Sequence, residues 1–376
     1  MAGSRLSYLD YNATAPVRPA VAAAVAEALT LAGNPSSVHR AGRAARRAVE
    51  AARAEVAAFV GASESEIVFV SGGSEANHLA LRGSNRPRIL VSAIEHDSIL
   101  AAVPGAEIVP VDPSGTIDLE ALAERLAADD RPALVSVMLA NNETGIIQPI
   151  VAVADIVHAR GALLHCDAVQ AAGKLRLDRT RLGADLISLS AHKLGGPPGV
   201  GALVVAADAT LTPLQAGGGQ ERGRRAGTEN VPGIVGFGRA CTLAAEGLAA
   251  YGRLADLRDH AERQLLALAP AARVFGALSP RLANTLCITM PGVPAATQVM
   301  ALDLAGVMVS AGAACSSGKV RPSHVLRAMG ATPDEAASAI RISLGWDSDD
   351  ADIEHLVEAW STLYARAGRA VAASAA

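Results

Sequence analysis

The sequence predicts an α/β fold: a mainly parallel sheet covered by helices on both faces, with a second, smaller α+β unit after it. Three observations carry this. Short apolar runs alternate with helical stretches between residues 67 and 205, the pattern of strands joined by crossover helices. A Gly-rich segment at 217–227 then opens a long helical region and a second set of apolar runs. The length, 376 residues, also exceeds what one hydrophobic core usually organises.

Taken in order, residues 44–60 place apolar side chains at helical spacing among Arg46, Arg47, Glu50, Arg53 and Glu55, and Gly61 supplies a stop. Strands are expected at 67–70, 89–91, 134–139, 162–165, 186–189 and 202–205. Helix is expected across 234–268, and strands at 285–290 and 340–344. The expected division is a large domain at 15–250 and a small domain made of 1–14 and 251–376. The alanine-rich C-terminal tail is expected to fray.

Hydrophobic residues make up 51% of the chain and charged ones 19%, with a formal charge of -4. That balance suits neither a disordered tail nor a nucleic-acid footprint, and points to a small molecule or a protein as partner. The longest uncharged stretch, 282–302, contains Asn284, Pro291, Pro294 and Gln298, which argue against a membrane span. The N-terminus lacks the basic region and apolar stretch of a signal peptide, so a cytoplasmic location is expected. Cys166, Cys241, Cys287 and Cys315 have neither metal-ligand spacing nor disulfide density, and no metal site is expected. Lysine occurs only at 174, 193 and 319, which shortens the candidates for amine chemistry.

In an open α/β sheet, ligands bind beyond the carboxyl ends of the strands. Polar residues gather at those ends: Ser71, Gly72, Gly73, Ser74 and Glu75; Glu95 and His96; Asn141 and Asn142; Asp167 and Gln170; Ser190, His192 and Lys193. The Gly-Ser turn offers close backbone approach and free helix amides to a phosphate, although such turns also merely connect strand to helix. Asp167 alone reads equally as a helix cap, and Lys193 alone as a solvated loop lysine. Together, on adjacent strand ends, they could grip opposite sides of a flat heterocycle. Pyridoxal phosphate needs that pair: an amine for the covalent link, and a carboxylate that keeps the pyridine nitrogen protonated so that the ring accepts electrons.

The segments 8–16 (YLDYNATAP), 33–39 (GNPSSVH), 71–75 (SGGSE), 141–145 (NNETG), 167–170 (DAVQ), 190–193 (SAHK), 217–228 (GGGQERGRRAGT) and 310–315 (SAGAAC) resemble, in order, those of the cysteine desulfurases of the NifS/IscS type, in the class V aminotransferase family. The resemblance covers nearly the whole chain. It implies the type I fold of pyridoxal-phosphate enzymes, with a seven-stranded type of large-domain sheet, and a homodimer. It also implies that Lys193 links the coenzyme, Asp167 meets the pyridine nitrogen, His96 stacks on the ring, and Asn142 and Gln170 lie near the ring hydroxyl. Gly73, Ser74, Ser190 and His192 would hold the phosphate with Thr228 from a second subunit. Arg341 would hold the substrate carboxylate, with Asn34 and Asn142 as helpers. Ala311 and Ala313 depart from hydroxyl residues usual before the reactive cysteine, Pro198 from a common lysine, and the alanine-rich end from a tail that meets scaffold proteins.

Three of the thiols sit in apolar surroundings and read as core filler. Cys315 stands apart in a small, polar stretch with Lys319 and Arg321 nearby, where a thiolate is favoured. The expected reaction converts L-cysteine to L-alanine and leaves the sulfur as a persulfide on Cys315, for delivery to an acceptor such as an iron-sulfur scaffold or another thiolation route. In it, Lys193 moves the α-proton and His96 manages protons. Selenocysteine lyase and aminotransferase activities are the alternatives on the same fold, and a non-enzymatic scaffold ranks last because Lys193 and Asp167 are both present.

Overall fold

The computed structural model describes residues 5–312 and 323–374. In chain order, β1 (Ser7–Tyr8) precedes a seven-stranded sheet of β2 (Ile67–Val70), β3 (Arg88–Ser92), β4 (Glu107–Val109), β5 (Ala133–Met138), β6 (Leu163–Asp167), β7 (Leu186–Ser190) and β8 (Gly201–Val205). The later strands are β9 (Val274–Phe275), β10 (Thr285–Thr289), β11 (Val307–Met308), β12 (Ser310–Ala311) and β13 (Ala339–Ser343).

The large sheet runs β2-β8-β7-β6-β5-β3-β4. β8 is antiparallel to both β2 and β7, and the other pairings are parallel. Hence β2, β3, β5, β6 and β7 all end at the same edge, which is where the polar residues of the sequence gather. Alternate side chains feed two cores: Ile67, Phe69, Val135, Val137, Ile187 and Leu189 on one face, Val68, Val70, Leu134 and Leu186 on the other. Ala45, Val49, Ala52 and Val56 of the helix Arg40–Val60 pack on the first face, and Ala76, Leu79 and Ala80 of the helix Gly73–Gly83 on the second. The first of these helices ends at Gly61 in a left-handed conformation, φ 63°, which glycine adopts without Cβ strain.

A separate core forms around the antiparallel sheet β12-β13-β10-β9, with Leu286, Ile288, Ile340, Ile342 and Trp360 buried in it. The N-terminal strand joins this part, because β1 pairs in parallel with β11. The helical region expected at 234–268 is two helices, Val231–Tyr251 and Leu254–Leu268, which part at Gly252, a poor helix former. Where fraying was expected, the alanine-rich end is helical as far as it is described: one helix runs Asp350–Ser374, in keeping with the high helix propensity of alanine. β4 escaped the sequence reading because its three residues, Glu107–Val109, are too few to show a period.

Candidate active site

A cavity of about 370 Å³ opens at the common edge of the parallel strands. Gly73, Ser74, His96, Asn142, Asp167, Gln170, Ser190, His192, Lys193 and Arg341 line it, so most residues singled out from the sequence face one space. Asn34 and Thr228 are not among its lining residues; both are exposed. Asn34 caps its own turn by accepting from the Ser36 N–H at 2.8 Å. Cys315, like Ala313, Lys319 and Arg321, lies outside the described residues.

Asp167 ends β6 with its side chain almost fully buried. Its Oδ1 accepts from the Val169 N–H at 3.0 Å and its Oδ2 from Asn77 Nδ2 at 2.8 Å. The carboxylate thus closes a turn after β6 instead of capping a helix, since the next helix begins only at Arg179, and it lines the cavity as well. Both donors are neutral, and no Lys, Arg or His pairs with it among the described residues. Two residues earlier, His165 is fully buried between Ser136 Oγ and Ser188 Oγ, 2.9 Å from each. Burial pushes its pKa down to about 4, so it adds no positive charge at neutral pH. Asp167 thus faces the cavity without an ion-pair partner in contact among the described residues, although Lys193 and Arg341 line the same space.

Lys193 enters from the turn after β7 and donates to the backbone carbonyls of Asn12 and Ala13, at 2.7 Å each. Burial, and then the Arg341 guanidinium, push its pKa down to about 8, against smaller opposing effects of Asp10 and Asp167. About a tenth of the amine is consequently uncharged at pH 7, far more than for an ordinary lysine. His192, beside it, is pushed down to about 4 by burial and by the Lys193 charge, and its Nδ1 lies 3.2 Å from Thr14 Oγ1.

His96 precedes the short helix Asp97–Leu100, and its Nδ1 accepts from the backbone N–H of Ser98 at 3.1 Å. Because a backbone N–H can only donate, the neutral ring carries its proton on Nε2. Ser98 Oγ accepts from Asn77 Nδ2 at 2.9 Å, so Asn77 ties the turn beneath His96 to Asp167. Gly73 opens the helix Gly73–Gly83, and a Cβ there would sit 2.8 Å from Val169 Cγ2. Its glycine keeps the helix amides, free of intrahelical partners in the first turn, close to the cavity.

Arg341 reaches the cavity from β13. It donates to Asp10 Oδ1 at 2.8 Å and to the Asn142 carbonyl at 3.0 Å, while its Nε is buried without a partner. Asp10 is held in turn by Ser310 Oγ at 2.8 Å. The sequence reading gave no role to Asp10, Asn12, Asn77 or Lys174. Asp10 and Asn12 stood inside a quoted motif, which was the available signal; Lys174 stood out only as one of three lysines, and Asn77 carried none.

Cys166, Cys241 and Cys287 are buried, and burial pushes each thiol above its ordinary pKa, as unreactive core filler requires. Among the described residues no group of three or more His, Cys, Asp or Glu could hold a metal ion, and no helix is long and apolar enough to cross a membrane.

The aminotransferase class-V family profile matches residues 7–356. A cysteine desulfurase of Cereibacter sphaeroides is 46% identical over 366 residues, covering 93% of this chain and 94% of the relative. The solved structure of a NifS-like protein from Rickettsia africae superposes with a TM-score of 0.90 at 35% identity, covering 96% of this chain and 99% of that one. A structure described as SspA in complex with cysteine gives a TM-score of 0.77 at 30% identity, covering 90% of this chain and 98% of that one.

Proposed function

This chain belongs to the class-V aminotransferase family, as a cysteine desulfurase that converts L-cysteine to L-alanine, and from that membership we propose how its own residues divide the work. The observation that carries the proposal is the shared cavity of Lys193 and Asp167, with an amine lowered to about 8 and a carboxylate held by neutral donors without a contacting ion-pair partner among the described residues. Those two features fit pyridoxal phosphate, whose aldehyde takes an uncharged amine and whose protonated ring nitrogen would give Asp167 a direct partner. When bound, the coenzyme supplies an electron-accepting ring that makes the substrate α-proton removable.

In this reading Lys193 holds the coenzyme and, once displaced by substrate, accepts the α-proton. The carbonyls of Asn12 and Ala13 orient its amine. Asp167, fixed by Asn77, keeps the ring nitrogen protonated. Gln170 and Asn142 would meet the ring hydroxyl, and His96 would stack on the ring, with its Nε2–H available as a donor. Gly73, Ser74, Ser190 and His192 hold the phosphate, with Thr228 supplied by a second copy in a homodimer. Arg341 binds the substrate carboxylate through its guanidinium, and Asn34 stays a weaker candidate helper.

Sulfur transfer is assigned to Cys315. Its thiolate attacks the sulfur of the bound cysteine, and the bond between that sulfur and its carbon breaks with the electron pair left on carbon. That carbon takes a proton, alanine leaves, and the sulfur remains as a persulfide. The persulfide is passed to an acceptor protein, for iron-sulfur cluster assembly or another thiolation. The division into domains 15–250 and 1–14 with 251–376 puts Lys193 and Arg341 on different domains facing one cavity.

Purified protein given coenzyme and L-cysteine should form alanine and releasable sulfur in equal amounts, with no dependence on a keto acid. Amino transfer to a keto acid without sulfur release would replace this reading by an aminotransferase.

A further inference from the structure

Lys174 is a buried amine that the reaction above does not use. It is 8% exposed, and its Nζ donates to Asn12 Oδ1 and to Gln170 Oε1 at 2.7 Å each, with no carboxylate as partner. Burial, reinforced by Lys193 and then Arg341, pushes its pKa well below the ordinary lysine value. A lysine placed at such cost needs an explanation.

The amides it touches have only one orientation open to them. Asn12 Nδ2 points at the Asn142 carbonyl, and Gln170 Nε2 at the Asn12 carbonyl, 3.3 and 2.8 Å away. A carbonyl can only accept, so the oxygens of both side chains face Lys174. With Oε1 turned to Lys174 and one N–H spent on the Asn12 carbonyl, the donor that Gln170 has left for the cavity is its second N–H. The Asn12 carbonyl is also the acceptor of Lys193 Nζ. One amine therefore fixes the acceptor of Lys193 and the donor that Gln170 offers the cavity.

We propose that Lys174 is a positioning residue of the active site, which acts through Asn12 and Gln170 to present a hydrogen-bond donor to the ring oxygen of the bound coenzyme. This rests on the reading that pyridoxal phosphate binds at Lys193. A donor on that oxygen favours its ionised form, and so lowers the pH at which the link between coenzyme and Lys193 loses its proton. The charged or titratable groups facing Lys193 are Asp167 from β6, Arg341 from β13, Asp10 from the N-terminal segment, His192 from its own turn and Lys174 itself. All but Lys174 are unchanged in the variants that follow.

The test is the pH midpoint of the visible absorbance of the coenzyme-loaded protein. Lys174→Met should raise it by about one pH unit, and Gln170→Met should raise it similarly. The double variant should exceed neither single change by much, because both remove one pathway. Lys174→Gln, which keeps a donor amide, should restore part of the shift. Thermal melting of each variant separates this from a merely structural lysine, which would lower the melting temperature and leave the midpoint in place. An unchanged midpoint in Lys174→Met, or fully additive shifts, overturns the proposal. If Lys174→Met does not fold, an unchanged midpoint in Gln170→Met overturns it equally. Unsubstituted protein that gains no visible band with coenzyme would instead sink the coenzyme reading itself.

Discussion

Asn77 Nδ2 donates to Asp167 Oδ2 at 2.8 Å, and this bond ties the helix after β2 to the carboxylate that ends β6. The same nitrogen donates to Ser98 Oγ, beneath His96. Asn77→Ala removes a buried donor to a charged acceptor, a loss on the order of 1–3 kcal/mol. Coenzyme affinity, read by absorbance titration of the apo protein, should fall by about tenfold or more. Unchanged affinity would mean that Asp167 holds its position without Asn77.

The lowered pKa of Lys193 makes coenzyme capture pH-dependent. Its uncharged amine is the reactive form, so capture by the apo protein should speed up as pH rises through about 8 and level off above it. Burial is the larger cause and Arg341 the second. Arg341→Gln should therefore move the midpoint upward and slow capture at neutral pH. Stopped-flow absorbance checks both, and borohydride reduction with peptide mapping should find the adduct on Lys193. An adduct on another lysine would contradict the assignment.

In the proposed reading Arg341 has a separate role, in binding the substrate carboxylate. Arg341→Lys keeps a positive charge but loses the planar fork that matches a carboxylate. Steady-state kinetics should give a KM for cysteine raised by roughly 10- to 100-fold, with a smaller change in kcat, since ground-state binding is what is lost. A pure fall in kcat would point to a role in the chemistry instead.

Arg53 and Glu221 make a buried ion pair, with Nη1 and Nη2 each 2.9 Å from a carboxylate oxygen. Glu221 Oε2 also accepts from the Phe69 N–H at 2.8 Å, pinning the Gly-rich segment to β2. Glu221→Ala leaves the buried Arg53 with only the half-exposed Glu50 carboxylate at 3.3 Å and the Ile67 carbonyl at 2.9 Å, and should destabilise the fold by about 3 kcal/mol. The urea midpoint measures it. A midpoint within error of the unsubstituted protein would mean that water or another group compensates Arg53.

Much of the fold was legible because its strands are apolar runs that end in polar residues. A run such as Leu186–Ser190 announces both a buried strand and the edge where Lys193 follows. Glu107–Val109 gave no such signal, because three residues on a sheet edge do not display a period. Within the site, Asp167 and Lys193 were readable as a pair because their chemistry is unusual at strand ends. Asn77 and Lys174 were not. Asn77 lies inside a helical pattern, where asparagine reads as an exposed polar residue, yet it is 1% exposed. Lys174 reads as a surface lysine, and its burial depends on Asn12, which is 162 positions away in sequence and adjacent only in the fold. Gly252 divided one expected helical region, and the alanines of the C-terminus lengthened a helix where fraying was expected.

The most direct measurement is to give coenzyme-loaded protein cysteine labelled on sulfur, and to locate the label by peptide mass spectrometry before any acceptor is added. The expected result is one labelled sulfur on Cys315 for each alanine formed in the first turnover, with Cys315→Ala forming no protein-bound label while keeping its visible band. Label on Cys166, Cys241 or Cys287, or sulfur release at the unsubstituted rate from Cys315→Ala, would contradict it.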